Sequence, residues 1–353
     1  MAHNLNYHQT TGKHSFMSVQ ERAWHGLGQI VQDYPTSAQA IQFAGLDFTV
    51  EKRKMFISDK NNDLSELGFG TNSIQVPDFY SGVRTDTNDI LGVVGKGYHI
   101  IQNVDAFSFF DAIVGGGNGI KYETAGALGK GQRIFITAKL PDYITVGRND
   151  LIEQYLFLTT SHDGSGSIHA AFTPIRIVCN NTLNAALKNQ TNSVKIRHTS
   201  SAKDRLSTAH KLMGISTKFS AEIGQVFNSW SKVKITDKEV KKLIQIAMAP
   251  NKEVLKNLES GLVDELSTAY TNIVDSAYSY AMSNPTQQME STAGTVFGAY
   301  NAVTGYFQNT RNFTNAEDKF KSIFEGTGKL RGQTAFDLCN DFSIKGASTL
   351  RFN

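Results

Sequence analysis

IEQYLFLTTSHDGSGSIHAAFTPIRIV, residues 152–178, sets two apolar runs of strand length on either side of SHDGSGS. Ile, Phe, Tyr and Thr suit a pleated backbone, and a Gly/Ser cluster suits a reversal, so the stretch predicts a β-hairpin. The pattern extends upstream. GQRIFITAKL (131–140) and LDFTVEKRKMFI (46–57) read as strands, and FYSGVRTDTNDILGVVGKGYHII (79–101) as two or three more, with turns at Thr85 to Asp89 and at Gly95 to Gly97. Sequential strands joined by short turns imply an antiparallel sheet, and VDAFSFFDAIV (104–114) supplies a helix to cover it. Asn103 is the expected cap of that helix, and Gly115 to Gly117 its end.

After Cys179 the character becomes helical. Residues 202–230 place Leu212, Met213, Phe219, Ile223, Val226, Phe227 and Trp230 on one side. Lys203, Lys211 and Lys218 fall within roughly an 80° arc opposite them at 100° per residue. Thr236 with Glu239 and Thr314 with Glu317 have capping-box spacing. Further helices are expected at about 237–248, 252–283, 293–308, 315–325 and 331–341. The fold class is therefore α+β: an antiparallel sheet with packed helices, followed by a helix-rich C-terminal half. A sheet-rich region over 1–200 and a helical region over 201–353 meet at a soft boundary, and the two can form one continuous domain.

The chain has 353 residues, 40% of them hydrophobic and 19% charged, with a net charge of +3. That is the composition of a soluble globular protein. Two cysteines, Cys179 and Cys339, make no disulfide framework and point to a reducing, cytoplasmic setting. The opening MAHNLNYHQTTGKHSF lacks the regions of a signal peptide, and no apolar run is long enough to span a membrane.

Enzymatic patterns mostly fail. GTGKL (326–330) has neither the first glycine nor the hydroxyl that follows the lysine of a phosphate loop. GALGKGQ (126–132) and GGGNG (115–119) read as turns. Ser161, His162 and Asp163 are neighbours whose side chains diverge, and they read as solvated turn residues. The nine histidines show no paired-ligand spacing, so no metal and no cofactor is expected. Cys179 precedes NTLNAALK, where a helix N-terminus would favour a thiolate, yet a packed cysteine at a strand end is the simpler reading. Asn180 and Asn181 then cap that helix and fix the corner.

A basic segment survives this filter. Lys188, Lys195, Arg197, Lys203, Arg205, Lys211 and Lys218 face a single acid, Asp204, an excess larger than that of the whole chain. His198 and His210 would add charge at lower pH. A solvated face is one reading, and a phosphate-binding surface is the other, with Thr199, Ser200 and Ser201 as hydroxyl donors. Lys130, Gly131 and Arg133 would extend that surface, with Tyr98, Tyr122 and Tyr155 to stack on bases.

SVQERAWHGLG (18–28), GVRTDTNDILGVVGKGYHIIQNVDAFSFFD (82–111), IRIVCNNTLNAAL (175–187) followed by IRHT, and GAYNAVTGYFQN (298–309) resemble, in the same order, the phage/plasmid-like proteins borne by phages and plasmids. In the last motif the family pattern leads one to expect a tryptophan where Phe297 stands. The family carries no established chemistry. The resemblance implies an intracellular bacterial setting and a role in DNA replication, recombination or host takeover. The order of elements is similar to that of single-strand annealing recombinases of mobile elements.

The expected function is thus non-enzymatic binding of single-stranded DNA that promotes annealing, with no catalytic residue, through a possible homo-oligomeric ring or filament. Lys195, Arg197, Lys203, Lys211 and Lys218 would carry the backbone contacts, and Lys130 and Arg133 would assist. Two other classes stay open. One is an interaction or virion-associated protein without DNA binding; the other is a hydrolase or nuclease with a dispersed site using His25 or His169.

Overall fold

The computed structural model describes residues 5–20, 27–58, 73–114, 121–176, 181–182, 193–206, 217–314, 318–319, 322–323 and 326–351. Strands β1 (Tyr7–His8) and β2 (Lys13–His14) pair as a hairpin, and β3 (Phe16–Val19) runs parallel to β4 (Gln29–Val31). Helix α1 (Ser37–Phe43) precedes a small antiparallel sheet of β5 (Val50–Ser58), β6 (Ser73–Arg84) and β7 (Ile90–Gly95). After α2 (Asn103–Val114) come β8 (Lys121–Leu128), β9 (Arg133–Val146), β10 (Asp150–Ser161) and β11 (Ile168–Arg176). The large sheet is ordered β12 (Asn181–Thr182), β11, β10, β9, β8, β3, β4, and β13 (Ser193–Ile196) also pairs with β11. The predicted hairpin is the β10–β11 pair, with Leu156 opposite Phe172.

The helical half contains α3 (Thr217–Trp230), α4 (Asp237–Met248), α5 (Lys252–Glu259), α6 (Thr268–Ser283), α7 (Val296–Gly305) and α8 (Thr327–Lys345). The α+β reading holds. The capping box at α4 is present: Thr236 Oγ1 accepts from Glu239 N at 3.4 Å, and Glu239 Oε2 accepts from Thr236 N at 2.8 Å. The helix expected over 252–283 is two. Gly261 takes a left-handed φ of +71°, a turn of 3-10 helix follows at Val263–Glu265, and Ser267 caps a new helix by accepting from Tyr270 N. The last helix begins at Thr327, one turn earlier than the sequence suggests. The helix expected at 315–325, with Glu317 of the second capping box, lies largely outside the described residues.

One face of β9, β10 and β11 feeds two cores. Ile134, Ile136, Leu156, Leu158 and Ile168 pack with α1 and α2, while Ile144, Val146, Ile152 and Phe172 pack with the C-terminal helices. Helix α7 is buried along its whole length. Gly298 makes that possible, because a Cβ there would lie 2.0 Å from Thr292 O. Phe297 replaces the expected tryptophan within an aromatic cluster, its ring 5.2 Å from that of Phe227. Among the described residues no helix is long and apolar enough to cross a membrane.

Candidate nucleic-acid interface

Strand β13 is short and lies on the outer side of β11, with Ile196 opposite Ile168 and Lys195 opposite His169. Side chains alternate across a strand, so burying Ile196 and His198 turns Lys195 and Arg197 outward together. Neither cation has an ion-pair partner among the described residues. The end of β13 is held firmly. His198 donates from Nδ1 to His99 O at 3.0 Å and accepts at Nε2 from Thr160 Oγ1 at 3.3 Å, while its ring stacks on Tyr98 at 4.6 Å. Burial lowers the pKa of His198, which favours its neutral form as an anchor within the basic segment.

Thr199, Ser200 and Ser201 are exposed and lead into a helical turn at 202–206, where Ala202 and Leu206 are buried and Lys203 points to solvent. Lys203 is not a free cation, since its Nζ lies 2.7 Å from Asp105 Oδ1 of α2. The carboxylate hydrogen bond raises its pKa.

Lys130 sits in the β8–β9 turn, 3.3 Å from Asp89. That turn and β13 are separated by the intervening strands, roughly 15–20 Å at ordinary strand spacing. Arg133 is buried, 9% exposed, and offers a phosphate no open surface. Lys188 and Lys211 lie outside the described residues; Lys218 is the second residue of α3. The fold thus exposes Lys195 and Arg197, ties Lys203 to α2, puts Lys130 at a distance, and keeps Arg133 inside.

The three tyrosines proposed for stacking have internal roles. Tyr98 donates to Ser161 O at 2.6 Å, and Tyr155 donates to Glu153 Oε2 at 2.5 Å. Tyr122 is buried, with its hydroxyl on Asp111 Oδ1 at 2.8 Å. Asn181 and Thr182 pair as a strand with Arg176 and Ile175, where the sequence suggests a helix start; Cys179 and Asn180 lie outside the described residues. Cys339 is fully buried, and burial pushes its thiol far up, so it packs and does not react.

The solvated-turn reading of Ser161, His162 and Asp163 is overturned for the first two, which are buried. His162 Nε2 donates to Asn103 Oδ1 at 2.9 Å, and Asn103 Nδ2 donates to Leu46 O at 2.9 Å. Asn103 is therefore a long-range tie and not a helix cap, and Asp105 Oδ2 accepts from Gln102 N at the head of α2 instead. Ser161 Oγ accepts from Gly166 N at 3.0 Å, so serine and histidine are each committed elsewhere. Two strand glycines make this burial possible. A Cβ on Gly82 would lie 3.0 Å from His162 O, and one on Gly92 2.6 Å from Asp163 O, so the small sheet presses its backbone onto the hairpin turn.

No curated protein and no solved structure matches the chain. A family model does match, from the start of β7 through β13 and most of the helices, leaving β3 and β4 of the large sheet outside it: over residues 90–324 the chain belongs to the family described as a domain of unknown function (DUF932).

Proposed function

We propose that the protein binds single-stranded DNA and promotes pairing of complementary strands without a chemical step, in the replication or recombination of a phage or plasmid inside a bacterial cell. The observation that carries this reading is the outward pair Lys195, on an edge strand, and Arg197, just past its end and beside the hydrogen-bonded His198, continued by exposed Thr199, Ser200 and Ser201. Cations with adjacent hydroxyl donors are what a phosphate backbone requires. The resemblance to phage/plasmid-like proteins, and the element order shared with annealing recombinases, support the same reading.

Binding of a labelled single-stranded oligonucleotide should weaken with salt, with a slope of about −0.7 in log affinity against log salt for each phosphate neutralised. The double variant Lys195→Glu/Arg197→Glu should lose at least about tenfold in affinity, because reversing charge removes counterion release at both contacts. Its thermal midpoint should stay within the small range of exposed substitutions. Wild-type protein that does not bind at low salt, or a double variant with unchanged affinity and slope, overturns the proposal.

A further inference from the structure

Six large apolar side chains on the small sheet, Phe56, Ile57, Ile74, Phe79, Ile90 and Val93, are each between 51% and 63% exposed. Ile57 lies opposite Ile74, and Phe56, its neighbour in the strand, points to the other side. The β5–β6 ribbon beyond Lys54 therefore shows apolar groups on both faces. Two strands open to water on both sides are marginal alone, and exposed apolar groups that adjoin across strands, as Ile57 and Ile74 do, mark an interaction surface. The ribbon is also basic: Lys52, Arg53, Lys54 and Lys96 outnumber Glu51 and Asp78. Lys54 is exposed, with no ion-pair partner among the described residues.

A surface of matching character and opposite charge lies in the helical half. Between α5 and α6 the left-handed turn at Gly261 throws out a knuckle carrying exposed Leu262 and Val263, flanked by exposed Glu259, Asp264 and Glu265. The stretch 257–267 contains no lysine or arginine.

We propose that the β5–β7 ribbon of one copy docks on the 259–265 knuckle of a second copy of this chain. Apolar groups on each side would leave water together, and the basic ribbon would meet the acidic knuckle, which fixes orientation and excludes ribbon-on-ribbon pairing. The two surfaces are different, so the contact is heterologous. Each added copy leaves one ribbon and one knuckle free, and assembly continues until a ring closes or a filament grows. This inference stands independently of nucleic-acid binding.

Sedimentation of the full chain at low salt should show a mass that rises with concentration through the micromolar range. Ile74→Asp/Phe79→Asp, in the ribbon, and Leu262→Ser/Val263→Lys, in the knuckle, should each be monomeric with an unchanged circular dichroism spectrum. Mixed together, the two variants should form a one-to-one dimer that grows no further, because one supplies an intact knuckle and the other an intact ribbon. If the ribbon variant loses stability, Lys54→Glu replaces it, with association at least about tenfold weaker, as expected for reversing a close charge pair. A wild-type monomer at all concentrations, a mixture that stays monomeric, or a variant that associates like wild type overturns the proposal. So does a ribbon variant that keeps self-association and loses single-strand binding, which would give the ribbon to nucleic acid.

Discussion

Trp230 and His162 are both completely buried, one in the helical half and one in the sheet half, and they are held by different forces. Around Trp230 the neighbours are rings: Phe336 at 4.9 Å, Tyr300 at 5.6 Å and Phe227 at 5.7 Å between centroids. Around His162 they include polar and charged groups. Asn103 accepts its proton, and Phe48, 6.2 Å away, carries the Arg84 guanidinium on its ring at 3.8 Å. Arg84 in turn donates to both oxygens of Asp86, at 2.7 and 2.9 Å. One interior gains stability from area and dispersion, which do not depend on protons. The other joins three separate chain segments through hydrogen bonds whose worth depends on charge state.

Trp230→Ala tests the apolar side of that contrast with the largest effect. Removing a buried indole from a close-packed cluster should cost about 3–5 kcal/mol in urea unfolding, by lost transfer energy and the cavity left behind. The loss should be the same at pH 7.5 and pH 5. A cost below about 1 kcal/mol, or one that changes with pH, would mean that the cluster is loosely packed or coupled to a titrating group.

This difference also explains what could be read from the chain. Ile223, Phe227 and Trp230 announce themselves by helical period, and Thr236 and Glu239 by spacing, because a helix face and its cap are local facts. The hairpin strands are legible for the same reason. Asn103 and His162 are not: a polar residue before a helix and a histidine in a Gly/Ser turn have ordinary local readings, and only the approach of the small sheet over Gly82 and Gly92 reassigns them. In the basic segment, alternation on β13 separates outward Lys195 and Arg197 from inward His198, but register with β11 decides that, and a count of charges cannot. The carboxylate that engages Lys203 is almost a hundred residues away in sequence, and so invisible to the pattern.

The polar side is tested by acid. Burial pushes the pKa of His162 down to about 4 from 6.5, with His198 and Arg84 nearby acting in the same direction and Asp163 against them. A folded-state pKa below the unfolded one means that the unfolded chain binds the proton first. The stability that His162 contributes is therefore complete above pH 6.5 and is lost as pH falls from 6.5 to about 4. The loss should reach about 3 kcal/mol, at 1.36 kcal/mol per unit. His198, lowered by burial, loses stability with the same sign. His162→Gln keeps a donor for Asn103 and removes the titration, so its stability should fall less steeply over this window. Equal slopes for wild type and variant would show that His162 is already protonated or solvent-reached in the native state.

The smallest effect comes from a flaw inside the aromatic cluster itself. Tyr300 is fully buried, and among the described residues its hydroxyl finds no hydrogen-bond partner; Trp230 Nε1 is in the same position. Burial also drives the Tyr300 phenol far above its ordinary pKa, so it stays neutral at any working pH. An unsatisfied buried hydroxyl costs on the order of 1–3 kcal/mol of desolvation, while the ring that bears it still contributes its full apolar area. Tyr300→Phe removes the first and keeps the second. Its ring contacts with Trp230 and Phe336, at 5.6 and 5.9 Å, do not involve the oxygen. The substitution should raise stability by about 1 kcal/mol in urea unfolding, with no change in the dependence on denaturant concentration. A loss of 1 kcal/mol or more would show that the hydroxyl has a partner, such as a trapped water shared with Trp230 Nε1, and that the helical interior, like the sheet interior, relies on a buried polar contact.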